Sequence, residues 1–177
     1  SKSRAGGVLY SDYSLGRFFA EAARQPWFEN TIFLVTADHC ASSAGRTEIP
    51  LQKYHIPALI LAPGLIEPGV VDGIVSQIDL MPTLLSLLNM SYDSHFYGRS
   101  IFDPAYVNRA FIATYQDLGY LEGDTFTILS PVRRFEQYRV VPTEENPHHL
   151  EAMERKDAVQ VDRAIGYYQT SCKWNKR

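Results

Sequence analysis

The sequence predicts an α/β fold followed by a smaller antiparallel β-sheet, and three observations support this prediction. Residues 31–38 and 56–62 are short apolar runs, as expected for strands buried on both faces of a parallel sheet. Residues 12–24 and 79–88 carry apolar side chains at helical spacing. From residue 104 onward, short β-type runs alternate with turn residues. We therefore expect both apolar runs in one sheet, with the two helices packed on it.

Both predicted helices have capping signals at their starts. Ser11 or Asp12 can cap the first helix, and Pro26 marks its end. Ser76 and Asp79 have the spacing of a capping box at the start of the second helix, with Asp in place of Glu. Capping accounts for Asp79 adequately.

The C-terminal part of the chain predicts an antiparallel meander and a terminal helix. The β-type runs are residues 110–115, 125–129 and 137–141, and turn residues separate them. Residues 157–168 then carry apolar side chains at helical spacing. This part therefore adds a small sheet and a helix to the α/β part.

Composition and charge limit the class of protein. A chain of 177 residues with 45% hydrophobic and 21% charged residues is long enough for one domain with a sizeable core. We expect a single domain over 1–177, with an α/β part over 1–103 and an antiparallel part over 104–177. The net charge of −3 gives no electrostatic case for binding nucleic acid. No apolar run approaches the roughly 18 residues that a membrane helix needs.

Asp38 and His39 follow the first apolar run and are the main candidates for a metal site. Ligands of open α/β sheets lie just beyond the carboxyl ends of the strands. A carboxylate oxygen and an imidazole nitrogen together suit Zn²⁺ or Mn²⁺. Adjacent strand residues point to opposite faces, so the chain has to turn here for both to reach one ion. The alternative is a polar strand end in which Asp38 caps the next turn.

Two further residues near this pair have possible roles. Cys40 follows His39 and could be a third ligand, although a thiol without a role is the simpler interpretation. Arg46, in the loop after the strand, could bind an anionic headgroup through both of its guanidinium nitrogens, or could be a solvated loop charge. A disulfide between Cys40 and Cys172 is possible, but sequence alone does not place the two sulfurs together.

Three further histidines stand at positions that favour a structural or loop role over a role in the site. His55 stands directly before the second apolar run. If the two runs are parallel, His55 lies at the end of the sheet opposite to Asp38, which favours a structural position. His148 and His149 follow Pro147 in a polar stretch that predicts a loop.

Four stretches of the chain form one ordered set over roughly residues 8 to 103. They are residues 10–19, residues 27–31 running into 38–39, residues 54–64, and residues 77–85 with 98–100 after them. In order and spacing this set resembles the sulfatase-like part of the alkaline phosphatase superfamily. Within it, the set most resembles the lipoteichoic acid synthase and phosphoglycerol transferase branch.

The resemblance implies an alkaline-phosphatase-like sheet flanked by helices, with a small C-terminal antiparallel sheet and a terminal helix. It also implies that Asp38 and His39 are two ligands of a divalent metal. In this family the nucleophile, a Thr, Ser or modified Cys, and a further acidic ligand lie well upstream of the Asp-His pair. The residues before Asp38 hold no matching segment. We therefore expect this chain to be the C-terminal portion of a longer protein, and expect it to be inactive in isolation.

The activity that the resemblance implies is transfer or hydrolysis at a phosphorus or sulfur ester. Sulfatases proper usually carry Asp-Asn at this pair and bind Ca²⁺, whereas His39 favours Mn²⁺ or Zn²⁺ over Mg²⁺ or Ca²⁺. This favours a phosphoglycerol or phosphoethanolamine transferase of the cell envelope, acting on a lipid or another anionic ester.

The family implies an extracytoplasmic domain of a membrane-anchored protein. The alternatives are a sulfuric ester hydrolase and a non-catalytic envelope protein that binds a lipid or a partner.

Overall fold

The computed structural model describes residues 3–40 and 49–174 of the chain. The described residues form three α-helices and seven strands, which group into two units. Among the described residues, unit 1 comprises 3–37 and 57–70, and unit 2 comprises 38–40, 49–56 and 71–174. None of the helices in the described part is long and apolar enough to cross a membrane. The prediction of one domain over 1–177 stays a prediction.

Unit 1 begins with a longer helix than the sequence predicts. Helix α1 spans Arg4–Ala22, and the hydroxyl oxygen of Ser3 accepts a hydrogen bond from the backbone N–H of Gly6 at 3.2 Å. The predicted helix over 12–24 is confirmed, but its predicted start was wrong by eight residues. The error arose because the glycines of the first turns weaken the helical pattern, while Ser3 provides the cap upstream of them.

The two apolar runs pair in one sheet, as predicted, but the pairing is antiparallel. Strand β1 spans Phe33–Thr36 and strand β2 spans Ala58–Leu61, with Phe33 opposite Leu61 and Thr36 opposite Ala58. The expectation of a parallel pair was therefore wrong. A run that is apolar on both faces indicates burial, but it does not define the direction of the neighbouring strand.

Aromatic contacts hold α1 against the β1–β2 ribbon. The ring of Phe33 lies at the centre of this cluster, with ring centroids of four neighbours between 5.3 and 6.2 Å away. Two of these rings come from α1 and two from the segment that leads into β1, and they are Phe18, Phe19, Trp27 and Phe28. The apolar stripe predicted for the first helix is thus the stripe that contacts the ribbon.

Unit 2 contains the second predicted helix. A 3₁₀ turn over Gln77–Asp79 leads into helix α2, Leu80–Leu87. The capping box is formed, because the backbone N–H of Ser76 donates to the Asp79 carboxylate at 3.1 Å while the Ser76 side chain accepts from the backbone of Asp79. The capping prediction for this helix is therefore confirmed.

The C-terminal meander is a five-stranded antiparallel sheet in which each strand pairs with the next along the chain. The elements are β3 Arg109–Ala113, β4 Leu118–Glu122, β5 Thr125–Ser130, β6 Arg134–Val140, β7 Leu150–Ala152 and α3 Ala158–Trp174. The three predicted runs correspond to β3, β5 and β6, and the predicted helix over 157–168 corresponds to α3. Two strands were not predicted, because β4 contains Gly119 and β7 is only three residues long.

The two faces of this sheet bury different kinds of side chain. On one face, Phe126 and Ile112 pack with Ile49 and Leu51 in an apolar core. A Cβ added at Gly119 would lie 2.8 Å from the Phe126 ring, so this strand position requires glycine. Successive side chains of β5 point to opposite faces of the sheet. The residues on either side of Phe126 therefore point to the second face, which α3 covers.

A buried polar network joins α3 to that second face. The hydroxyl of Thr127 donates to Gln160 at 2.7 Å, and the side-chain amide of Gln137 donates to Thr127 at 3.0 Å. The phenol of Tyr168 donates to the backbone carbonyl of Gly119 at 2.7 Å. Burial raises the pKa of Tyr168 to about 12, so the phenol keeps its proton and remains a donor. These contacts fix α3 across the strands.

The most strongly buried charges of the described residues are Asp79 and Arg109. The Asp79 side chain is 0% exposed and the Arg109 side chain 2% exposed, and they form a two-pronged ion pair with both N–O distances at 3.1 Å. The Asp79 carboxylate also accepts from the Tyr106 phenol at 2.9 Å and from the Arg99 backbone N–H at 2.8 Å. Every oxygen of the buried carboxylate is therefore hydrogen-bonded, which buried charge requires.

The segment before Tyr106 fits closely around this pair. A Cβ added at Gly98 would lie 2.0 Å from the carbonyl oxygen of Ile78, so glycine allows the backbone to approach Asp79. Burial, followed by the hydrogen bond and the negative charge of Asp79, raises the pKa of Tyr106. The phenol consequently stays protonated and keeps donating to the carboxylate.

Replacing Asp79 with asparagine should lower the free energy of unfolding by about 3–5 kcal/mol, because the buried Arg109 charge would lose its partner. Urea unfolding followed by circular dichroism measures this change. Asp124→Asn is the matched control, since Asp124 forms an exposed ion pair with Arg139 at 2.7 Å and should cost at most about 1 kcal/mol. Equal losses for the two variants would contradict the importance of the buried pair.

Candidate metal-binding site

Asp38 and His39 directly follow β1, and both side chains reach solvent. The Asp38 side chain is 87% exposed and that of His39 70% exposed. Asp38 Oδ2 lies 3.5 Å from His39 Nε2, so the chain turns here and the two side chains converge instead of pointing to opposite faces. The backbone N–H of His39 donates to Asp38 Oδ1 at 3.0 Å, which holds the carboxylate beside the imidazole.

The His39 ring is oriented by its other nitrogen. Nδ1 lies 2.9 Å from the backbone carbonyl of Cys40. A carbonyl oxygen only accepts hydrogen bonds, so Nδ1 carries the proton in the neutral ring and Nε2 presents its lone pair toward Asp38. A backbone carbonyl that fixes the tautomer in this way is typical of histidines that bind a metal.

The geometry of the pair fits one cation. In a tetrahedral site with ligands about 2.1 Å from the metal, two ligand atoms lie about 3.4 Å apart. The Asp38–His39 separation of 3.5 Å matches this value. Two acceptor atoms facing each other need either a proton or a cation between them, since their lone pairs repel. A protonated imidazole and a bound divalent ion would each satisfy the pair.

The two residues do not complete a site by themselves. Within residues 3–40 and 49–174, no group of three or more His, Cys, Asp or Glu side chains is placed to hold a metal ion. Zinc sites in proteins use three or four ligands from the chain. Asp38 and His39 alone could therefore supply only two of the ligands that such a site needs.

Neighbouring segments support the backbone at this pair. The side-chain amide of Gln77 donates to the backbone carbonyl of Asp38 at 3.4 Å. The thiol of Cys40 donates to the backbone carbonyl of His55 at 3.4 Å. This contact places the Cys40 thiol on the backbone of a neighbouring segment, and its role as a third ligand stays an untested alternative.

The position of His55 differs from the expectation. Parallel strands would have put His55 at the far end of the sheet from Asp38. Because β1 and β2 are antiparallel, the residues before β2 lie at the end where β1 finishes. His55 is consequently a neighbour of Cys40, the residue that follows His39.

His148 packs against His55, which sequence analysis did not predict. The two rings have centroids 5.4 Å apart in an edge-to-face arrangement. His148 Nδ1 is buried and has no hydrogen-bond partner within the described part of the chain. Burial, and then the proximity of His55, lowers the pKa of His148. No local pattern could pair these residues, because more than ninety positions separate them in the sequence.

The other predicted site residues have simpler outcomes. Arg46 lies outside the described residues. The possible disulfide between Cys40 and Cys172 is not formed. Asp79, predicted only as a helix cap, is also the buried partner of Arg109.

A family model described as Sulfatase matches residues 2–90, which is 89 of the 177 residues. The chain belongs to the sulfatase family. The predicted family resemblance is therefore confirmed, and the match includes Asp38 and His39 as well as the helix-capping segment at Asp79. Arg109 and His148 lie beyond the matched residues.

Two relatives agree with this membership. The sulfatase-family chain is 30% identical over 107 residues to an arylsulfatase from Clostridium perfringens, an alignment that covers 55% of this chain and 22% of that protein. It is 33% identical to a protein in the alkaline phosphatase superfamily from Vibrio parahaemolyticus, known from its crystal structure. That match has a TM-score of 0.86 and covers 97% of this chain and 41% of the other. The alkaline-phosphatase-like fold class is thus confirmed.

The 177-residue chain should bind Mn²⁺ or Zn²⁺ weakly, with a dissociation constant above about 1 μM, because two ligands leave a tetrahedral site half empty. Isothermal titration calorimetry measures the affinity. Asp38→Ala and His39→Ala should both abolish the binding, while Cys40→Ser should leave it unchanged. Submicromolar binding that survives Asp38→Ala would place the metal site elsewhere.

Lowering the pH from about 7.5 to about 5.5 should destabilise the protein partly through His148. Its folded-state pKa is lowered below the unfolded value of about 6.5. The unfolded chain therefore takes up the proton first, so this contribution to stability is complete above that value and is lost as the pH falls. Urea unfolding at both pH values should show a smaller loss for His148→Gln than for the unchanged protein. His149→Gln, in the exposed neighbouring position, should keep the full loss.

Proposed function

We propose that this sulfatase-family chain is part of a divalent-metal-dependent enzyme that acts on a phosphorus or sulfur ester. The observation that supports the proposal is the convergence of two exposed ligand atoms, Asp38 Oδ2 and His39 Nε2, at 3.5 Å. Asp38 and His39 are proposed as two of the metal ligands. The chain spans 22% of the arylsulfatase and 41% of the solved structure that it matches, so further groups of the site are expected elsewhere in a longer protein.

The chain's own residues would contribute charge and orientation to this site. Asp38 supplies a negative oxygen ligand, and the backbone N–H of His39 holds the carboxylate in place. His39 supplies a neutral nitrogen ligand whose ring is fixed by the Cys40 carbonyl. When bound, a divalent metal lowers the pKa of a nucleophile and stabilises negative charge on the ester oxygens.

The preferred substrate class follows from His39. Imidazole nitrogen is a ligand for Mn²⁺ or Zn²⁺, while Ca²⁺ and Mg²⁺ prefer oxygen. With Mn²⁺ or Zn²⁺ at the site, transfer of phosphoglycerol or phosphoethanolamine is the first candidate. Its substrate would be an anionic lipid of the cell envelope, and the whole protein would be membrane-anchored with this domain outside the cytoplasm.

Hydrolysis of a sulfate ester is the second candidate. The similarity to the Clostridium perfringens arylsulfatase favours it. Both candidates use the same Asp-His pair, so they differ in the ester that is cleaved and in the acceptor. An assay with matched esters separates them directly.

In the longer protein, His39→Ala should lower kcat by more than about 100-fold and change KM little, because the metal acts mainly on charge that develops in the transition state. Release of nitrophenol from phosphodiester, phosphomonoester and sulfate esters, with Mn²⁺ or Zn²⁺ added, measures the activity. Turnover of the phosphodiester would support the first candidate, and turnover of the sulfate ester the second.

Two controls test whether the position of the histidine matters and whether the 177-residue chain is sufficient for activity. His149→Ala removes an exposed histidine elsewhere and should leave kcat unchanged. The 177-residue chain alone should be inactive, since the nucleophile is expected upstream. Metal-dependent turnover by the chain alone would contradict the need for an upstream nucleophile, and an unimpaired His39→Ala protein would remove His39 from the mechanism.

A further inference from the structure

Helix α1 has a second apolar stripe on a face other than the one that carries Phe18 and Phe19. Its members recur at i, i+4, i+7 and i+11, which places them on one face of the helix. They are Leu9, Tyr13, Gly16 and Ala20, and all four are exposed. Leu9 is 69% and Tyr13 63% exposed, and a Cβ added at Gly16 would meet no atom within 4 Å. We refer to these four residues as the outer stripe.

The outer stripe differs from the two other faces of α1. The face with Phe18 and Phe19 packs on the ring of Phe33. A polar face carries the exposed ion pair between Arg17 and Glu21 at 2.8 Å. The outer stripe carries no charged residue and does not pack on that ring. Its small residues at two of four positions would let another element approach the helix closely.

The β1–β2 ribbon also has an apolar face, and this face is directed away from α1. Phe33 points toward α1, so Leu34 and its cross-strand partner Ile60 point to the opposite face of the ribbon. No residue of β1 or β2 is fully buried, although both strands are almost entirely apolar. Within the described residues each strand pairs only with the other, and a two-stranded ribbon is marginally stable by itself.

We propose that the outer stripe of α1 and the Leu34–Ile60 face of the ribbon are the docking surface for the rest of the alkaline-phosphatase-type α/β core, carried by the same polypeptide. The extent of the structural match supports this occupant. The match covers 97% of this chain but only 41% of the Vibrio parahaemolyticus structure at a TM-score of 0.86, so that protein has more than half of its chain beyond the shared part.

The chemistry of the surface also agrees with such an occupant. The stripe and the ribbon face offer aliphatic, aromatic and small side chains without a charged group, as core-forming elements of an α/β domain do. Strands that are apolar on both faces need a layer on each side, and α1 supplies one layer only. The occupant would supply the second layer and further strands at the ribbon edges. This inference relies on the proposed longer protein, but it concerns stability and not the reaction.

Gly16→Lys tests the docking surface, because the substitution should shift the Tm in opposite directions in the 177-residue chain and in the longer protein. In the 177-residue chain the substitution should raise the Tm by about 2–4 °C, because glycine is a poor helix former and the position is open. In the longer protein the same lysine would be forced into the docked face and should lower the Tm by at least about 4 °C. Ser14→Lys, on the polar face of α1, is the matched control and should lower the Tm in neither protein.

Thiol protection provides a second measurement in the longer protein alone. With Cys40 and Cys172 replaced by serine, the thiol introduced by Ala20→Cys should react with a maleimide at least about 10-fold more slowly than that introduced by Ser14→Cys. Equal labelling, or a Gly16→Lys protein that is more stable in both lengths, would overturn the proposal.

Two further outcomes separate this proposal from its alternatives. A 177-residue chain that is a dimer by sedimentation velocity, and that becomes a monomer on Gly16→Lys, would identify a second copy as the occupant and overturn the proposal. A protected stripe in a longer protein without esterase activity would support the docking surface and contradict the proposed function. Esterase activity together with an unprotected stripe would support the proposed function and contradict the docking surface.

Discussion

The buried pair of Asp79 and Arg109 is the interaction on which unit 2 depends. It joins the turn before α2 to the first strand of the five-stranded sheet, and the Tyr106 phenol and the Arg99 backbone complete the shell around the carboxylate. Two buried charges are tolerated when they are paired and hydrogen-bonded, and here both carboxylate oxygens of Asp79 bind the terminal nitrogens of Arg109, although Arg109 Nε has no partner within the described residues. The pair therefore imposes specific positions on segments that are thirty residues apart, and it leaves few alternative ways to pack them.

The sequence predicted the elements better than it predicted their connections. Local patterns were enough to predict both helices of the α/β part, the two apolar strands, the capping box at Ser76 and three strands of the meander. The antiparallel direction of β1 and β2 and the pairing of Asp79 with Arg109 do not follow from local patterns. Each of these depends on a partner that is distant in the sequence, and no periodicity or capping signal encodes such a partner.

The same distinction applies to the candidate site. Residue type and position at the end of a strand were enough to select Asp38 and His39, because metal ligands are few and the strand pattern is clear. Their supporting contacts were not accessible in this way. Two such contacts depend on the turn that the chain makes after β1. They are the contact of the His39 ring with the Cys40 carbonyl and the hydrogen bond from the Gln77 amide to the Asp38 backbone. The predicted position of His55 was wrong because it assumed that the two strands are parallel, whereas they are antiparallel.

The distribution of these contacts has a practical consequence for where a functional unit of the chain can be cut. The residues that match the family model end at residue 90, yet Asp79 inside that range takes its counter-charge from Arg109 outside it. His55 likewise contacts His148, far into the C-terminal sheet. A protein trimmed to the matched range would retain a buried carboxylate without its guanidinium. The smallest piece that can be produced and studied is thus set by side-chain partners and not by the boundary of sequence similarity.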